Sequence, residues 1–267
     1  MDSAADDLPD MPDPLPEDDE GKTDQSNAVS PPKPTRSSRL PPVGPPEHAD
    51  PHDINARRAL AADLLQIGAV SLSPQDPYTW SSGMKSPIYC DNRVTLGFPR
   101  IRGAIRDGFH RFVYEMDVTP DVVAGTATAG IPHAAWLADR LHLPMAYIRG
   151  EAKSHGRKNR IEGIVESGQQ VVLVEDLIST GGSALSAVHA IQEAGATVPA
   201  VVAIFSYELD KAKQAFDDAG VPLFTLTDFS TLIDVARREN DLPVDAFDSL
   251  SEWRKDPEAW SSAHGGA

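Results

Sequence analysis

Beyond about residue 52 the apolar residues of this chain fall into two rhythms. From Asp53 to Ile67, the residues Ile54, Leu60, Leu64 and Ile67 recur near one face at helical spacing. Residues 69–73 and 78–90 predict short strands, with turns at Ser73-Pro74 and Ser82-Gly83. A helix is predicted over Pro99–Met116. The pattern then predicts strands at 121–125, 144–149, 171–176, 199–206 and 221–226, and helices at 131–141, 182–194, 208–219 and 228–240. Short apolar runs followed by helices predict an α/β fold, a central parallel sheet flanked by helices on both faces. Right-handed crossovers gather the loops that follow the strands at the carboxyl edge of that sheet, where chemistry is expected. The chain has no internal repeat of fixed period.

Residues 1–51 are different material. They hold 12 of the 23 prolines and 12 of the 40 acidic residues, with no aromatic residue and no apolar period. Such a segment cannot bury enough surface to offset its ordering entropy, so a disordered acidic, Pro-rich tail is predicted. Residues 52–267 remain, enough for one domain with a sizeable core.

The charge balance narrows the function. A net charge of −16 excludes a generic binder of nucleic-acid backbones, since such proteins are basic. A single cysteine excludes an intramolecular disulfide and a cysteine-rich zinc site, and Cys90 reads as a packing residue. His133 and His189 read as surface or core histidines on helices, and nothing has metal-ligand spacing. Apolar stretches such as Val198–Phe205 are too short to span a bilayer. The opening MDSAADDLPD is neither a secretory signal nor an Arg-rich transit peptide, so a cytoplasmic location is expected. The excess of Arg over Lys in an acidic chain fits a high-salt cytoplasm or a GC-rich genome equally.

The strongest chemical signal is VVLVEDLISTGGSAL, residues 171–185. A buried strand ends in two carboxylates, Glu175 and Asp176. A turn through Leu177, Ile178 and Ser179 leads to Thr180, Gly181, Gly182 and Ser183 and then a helix. Glycines let the backbone wrap an anion, and free amides at the helix start favour negative charge. The loop lacks the lysine of a nucleoside-triphosphate P-loop and the GxGxxG of a dinucleotide site. The acids would repel a phosphate. They suit sugar hydroxyls, or a magnesium ion bridging sugar and phosphate. The loop therefore calls for a ribose carrying a 5′-phosphate. The alternative is an acidic strand end with an ordinary helix cap.

This stretch resembles the phosphoribosyl-pyrophosphate (PRPP) motif of the type I phosphoribosyltransferases. YTWSSGMKSPIYCDNR (78–93) and RGEAKSHGRKNRIEG (149–163) resemble orotate phosphoribosyltransferases. The likeness runs from about residue 54 to Trp260 and includes TLTDFSTL and EWRKDP. It implies the type I phosphoribosyltransferase fold with a small N-terminal hood of strands, a homodimer, orotate and PRPP as substrates, and Mg²⁺ carried by PRPP.

Residues 149–160 hold five basic residues and a histidine in an otherwise acidic chain, which fits a lid over a polyanion or a solvated charged loop. The resemblance implies that Arg149, Lys153 and His155 meet the diphosphate of PRPP, with Lys153 and His155 reaching the neighbouring subunit's site. Gly150 stands where many relatives carry a second lysine. Residues 121–132, DVVAGTATAGIP, fit either a diphosphate loop or a tight helix–sheet contact. The resemblance implies the former, often with a non-proline cis peptide. A Tyr-Lys pair of some relatives is replaced by Thr128 and Ala129, which shifts the burden to backbone amides.

Orotate, a flat anionic pyrimidine, needs donors, a cation and apolar faces. Lys85, Tyr89, Arg93 and Ser179 are the candidates, against the alternative that Lys85 and Arg93 are surface charges. A lysine that some relatives carry at Ser81 is absent, and an arginine of others corresponds to about Tyr207. Arg93 is taken to replace that cation. Three readings remain open: an orotate enzyme, a transferase for another base, and a non-catalytic PRPP sensor. The basic lid and the absence of a basic DNA-binding domain favour an enzyme.

Overall fold

The computed structural model describes residues 53–80, 82–116, 118–150, 160–239 and 244–266. The tail 1–51, Ser81, Lys153 and His155 lie outside these residues.

The apolar runs form a six-stranded sheet. Its strands are β5 Val122–Thr126, β6 Met145–Ile148, β7 Ile161–Glu162, β8 Val171–Ile178, β9 Val201–Ser206 and β10 Leu223–Asp228, in the order β10-β9-β8-β5-β6-β7. All neighbours are parallel except β6 and the edge strand β7, so the sheet is parallel with one antiparallel edge. Strand side chains alternate between two cores. Val123, Val172, Val174, Val202 and Ile204 meet helices α1 (Ile54–Gln66), α2 (Pro99–Glu115), α3 (Gly130–Leu141) and α6 (Phe229–Glu239). Val122, Ala124, Leu173, Val201 and Ala203 meet α4 (Gly182–Glu193) and α5 (Asp210–Ala219).

The strand order locates the site. From β5 the chain crosses to β6 on one side, whereas from β8 it crosses to β9 and β10 on the other. Right-handed crossovers therefore carry α3 and α4 to opposite faces, which opens a crevice between the carboxyl ends of β5 and β8. The loops after those two strands are the two glycine-rich motifs.

The hood consists of β1 (Val70–Leu72) paired with β4 (Ile88–Cys90), and of the hairpin β2 (Tyr78–Thr79) and β3 (Lys85–Ser86). Several boundaries differ from the sequence reading. β8 runs two residues further than 171–176, because Leu177 and Ile178 pair with Phe205 and Ser206 of β9. Glu175 and Asp176 are thus strand residues. β10 starts at Leu223, after Pro222. A 3₁₀ segment at Asn92–Gly97, the short β7, and helices α7 (Val244–Lys255) and α8 (Pro257–Ala263) were not predicted. Asp256 caps α8 by accepting from the Ala259 amide at 2.9 Å. The C-terminal helices pack on the hood: Ser261 Oγ accepts from the Lys85 amide at 2.8 Å. Trp253 is fully buried against Trp80, Tyr207 and Phe229.

Candidate active site

Residues Ser179 to Ser183 connect β8 to α4. Gly181 caps the helix with φ +83°, and a Cβ there would lie 2.9 Å from the Phe216 ring, so glycine is required twice over. No side chain caps α4. The backbone amides from Ser179 to Ala184 have no acceptor among the described residues. Six consecutive unused amides at a helix start form an anion cradle.

The second loop, Ala127–Ala129, follows β5 and contains a cis peptide between Ala127 and Thr128. The Ala127 amide donates to the Ile148 carbonyl at 2.8 Å, whereas those of Thr128 and Ala129 have no acceptor among the described residues. The glycines flanking this loop serve packing. A Cβ on Gly130 would lie 2.5 Å from the Val174 carbonyl oxygen, and one on Gly125 would lie 2.8 Å from that of Gly130. The tight helix–sheet contact is therefore real, and it holds the loop beside β8. Gly130→Ala is expected to lift the first turn of α3 and to cost about 2 kcal/mol. Thermal unfolding checks it, and an unchanged Tm would contradict it.

Between the two loops is a cavity of about 360 Å³. Thr126–Ala129 line one side, and Glu175, Asp176, Leu177, Ser179 and Ser183 the other. Cys90, Asp91 and Arg93 close the hood end. A neighbouring cavity of about 280 Å³ shares Thr126, Ala127 and Ser183 and adds Arg149, Gly150, Arg160, Gly182 and Ser186. Arg149 lies 3.6 Å from Glu162.

Asn92 anchors the acidic pair. Its side chain is fully buried, and Nδ2 donates to the Asp176 carbonyl at 2.7 Å. Glu175 is 5% exposed; one of its oxygens accepts from the Asp176 amide at 3.0 Å, and the other lies within hydrogen-bonding distance and angle of no partner among the described residues. Burial, reinforced by the charge of Asp176, pushes the Glu175 carboxyl up to about 8. Burial also raises Asp176. Adjacent on one strand, the two titrate as a pair. At neutral pH burial therefore favours the protonated Glu175 carboxyl.

This has a consequence for stability. Between its ordinary value of 4.5 and about 8, the folded chain keeps a proton on Glu175 that the unfolded chain has lost. Stability therefore falls as pH rises through that window, by up to about 1.4 kcal/mol per unit. Glu175→Gln removes the effect. The Tm difference, variant minus parent, should grow from near zero at about pH 4.5 to a plateau above about pH 8. A difference independent of pH would contradict the burial argument.

Hard oxygen donors suit magnesium, yet Glu175 and Asp176 are only two. Among the described residues no group of three or more His, Cys, Asp or Glu is arranged to hold a metal. The pair fits an ion that brings further oxygens with its ligand.

Of the base-pocket candidates, Ser179 and Arg93 line the larger cavity, and Lys85 and Tyr89 do not. Tyr89 is on the face of β4 opposite Cys90, half-exposed and paired with the Tyr78 ring at 5.6 Å. Arg93 is forked onto Asp91 at 2.6 and 2.8 Å, which holds the Asp91 carboxyl below its ordinary value. Tyr207 is buried, stacked on Trp80 at 5.8 Å. An aromatic cluster therefore occupies that position. Cys90 is buried, which pushes its thiol up, as a packing residue requires. His133 is buried and pushed down to about 4 by desolvation, hence neutral, and His189 is exposed on α4. The sequence reading missed Asn92 and Asp91 as site residues, although both stand in the CDNR run it singled out.

Known proteins bear directly on this geometry. The phosphoribosyl transferase domain profile matches residues 102–237. The orotate phosphoribosyltransferase of Staphylococcus haemolyticus is 55% identical over 197 residues, 74% of this chain and 98% of that protein. The chain belongs to the orotate phosphoribosyltransferase family. The crystal structure of the Aeropyrum pernix family member superposes with a TM-score of 0.60 at 29% identity, covering 69% of this chain and 99% of that one. The Mycobacterium tuberculosis member in complex with PRPP superposes with a TM-score of 0.53 at 26% identity, covering 66% and 98%. As expected for this family, the sheet, the flanking helices and the hood are all present. Among the described residues no helix is long and apolar enough to cross a membrane.

Proposed function

We propose that this chain transfers the 5-phosphoribosyl group of PRPP to orotate, giving orotidine 5′-phosphate and diphosphate. The observation that carries the reading is the run of unused amides from Ser179 to Ala184 beside the buried acidic pair. That combination suits a sugar phosphate: amides for the 5′-phosphate, carboxylates for the ribose hydroxyls.

In the reaction a ring nitrogen of orotate forms a bond to the anomeric carbon as the bond to the diphosphate oxygen breaks, and diphosphate leaves with the electron pair. The charge of orotate is on its carboxylate, so the attacking ring nitrogen also gives up its N–H proton, to solvent, as the new bond forms. Catalysis rests on positioning and on stabilising the leaving group. Thr180, Gly181, Gly182 and Ser183 anchor the 5′-phosphate, while Leu177 and Ile178 keep the turn against the sheet. Glu175 and Asp176 hold the ribose and favour positive charge on its ring. The Thr128 and Ala129 amides, with Arg149, receive the diphosphate. Glu175 and Asp176 would hold a Mg²⁺ ion carried by PRPP, which would supply charge shielding for the diphosphate. Lys153 and His155 close over the leaving group from the partner subunit of a homodimer, and His155 supplies a proton to it. Water is kept from the donor. Ser179 and Arg93 meet the base, with Lys85 and Tyr89 at the rim, and Arg93 exchanges Asp91 for the orotate carboxylate. Arg93→Ala should raise the orotate KM about tenfold and leave the PRPP KM within twofold; an unchanged orotate KM would remove Arg93 from the pocket.

The domain occupies residues 52–267. A cytoplasmic location fits a chain that consumes soluble anions. The test of the function is diphosphate release with orotate, PRPP and Mg²⁺, each omitted in turn, at low and high KCl. Release that needs all three supports the proposal. Release with adenine or uracil but not orotate would replace the base, and bound PRPP without release would favour the sensor.

A further inference from the structure

Arg160 immediately precedes β7, opposite Arg149, the residue that follows β6. The Arg149 amide donates to the Arg160 carbonyl at 2.9 Å, and Arg160 Nε donates back to the Arg149 carbonyl at 2.9 Å. Nη1 donates to the carbonyl and the hydroxyl of Ser186 on α4, at 3.1 and 3.0 Å. All these acceptors are neutral. Nη2 has no acceptor among the described residues, and none of their carboxylates pairs with Arg160. Arg149, by contrast, has Glu162 beside it. Among the described residues Arg102, Arg111 and Arg237 also lack a carboxylate partner, but of these four arginines Arg160 is the one that lines a cavity at the glycine-rich loops. That cavity joins Ala127 to Gly182 and Ser183.

We infer that Arg160 is a phosphate-binding residue of the PRPP site, its Nη2 edge meeting the diphosphate while Nε and Nη1 hold the fork in place. A planar guanidinium already ordered by the protein gives up little entropy on binding, and its charge acts undiminished on a polyanion. The inference rests on the phosphoribosyltransferase reading. The competing role is a purely structural tie between β7 and α4.

The test is calorimetric binding of inorganic diphosphate with Mg²⁺ to the full chain, for the parent, Arg160→Ala and Arg160→Lys, with Tm measured in parallel. Arg160→Ala should weaken diphosphate binding at least tenfold. Arg160→Lys should recover part of the loss. The salt dependence of binding should become shallower in Arg160→Ala, since one charge contact is gone. The orotate KM should stay within twofold. A lower Tm with diphosphate affinity within twofold of the parent would reduce Arg160 to a tie and overturn the inference, as would a parent chain that does not bind diphosphate. If the parent binds diphosphate and Arg160→Ala weakens it, but orotate is not consumed, the base assignment fails and the inference stands.

Discussion

Lys153→Ala is expected to lower kcat by about 10²–10³-fold and to leave the orotate KM within about twofold. The lysine is proposed to act on charge that develops as the diphosphate departs, so its loss falls on the transition state and not on the base. In the proposed site, ground-state PRPP would keep the amides of Ser179–Ala184, Thr128 and Ala129, and the cations Arg149 and Arg160. Its KM should therefore change much less than kcat. Steady-state kinetics with either substrate varied checks this, and an unchanged kcat would end the lid assignment. The proposed dimer adds a sharper form of the test. If Lys153 acts across the subunit boundary, mixing Lys153→Ala with Asp176→Asn should restore activity. Half of the re-formed dimers are then mixed, and each mixed dimer has one site with both defects and one with neither. Recovery should approach about a quarter of the parent. No recovery after verified subunit exchange would place Lys153 in its own subunit's site.

Trp253→Ala is expected to destabilise the fold by about 4 kcal/mol, the range for deleting a large buried aromatic. Its ring is fully buried among Trp80 of the hood, Tyr207 after β9 and Phe229 at the start of α6, at centroid distances of 6.1, 5.4 and 5.8 Å. One side chain thus joins the C-terminal helices, the hood and the carboxyl edge of the sheet. Its removal leaves a cavity that three separate elements would have to collapse together to fill. A fall in Tm of about 10 °C follows for a domain of this size. Because Cys90, Asp91 and Arg93 hang from the same hood, the orotate KM should rise as well. A Tm loss below about 3 °C would show that the cluster carries little of the fold.

Local signals were the legible ones. The unbroken apolar runs at 171–174 and 198–205 marked buried parallel strands, and strand–helix alternation led to the carboxyl edge. The acidic pair followed by glycines pointed to a sugar phosphate without any structure. What escaped depends on distant partners. The acidic pair looked like a strand end because charge seldom sits in a buried ladder. Only the pairing of Leu177 and Ile178 with β9 carries the strand past it. The same burial raises the Glu175 carboxyl, and no neighbour in sequence announces that. β7 is two residues long, too short to show a period. α7 has few large apolar residues, Phe247, Leu250 and Trp253 among them, so its pattern was faint until the hood supplied a surface. Arg93 read as a free cation, but Asp91, two residues earlier, already holds it. Gly125 and Gly130 were legible as either anion loop or tight packing, and the 2.5 Å approach to Val174 shows the packing directly.

The most direct test of the account is the fate of the phosphoribosyl group. Purified chain, orotate, PRPP and Mg²⁺ would be followed by phosphorus NMR, with mass detection of the nucleotide. The account predicts orotidine 5′-phosphate and diphosphate in equal amounts, with no ribose 5-phosphate. Ribose 5-phosphate in place of the nucleotide, or PRPP left intact beside orotate, would contradict it.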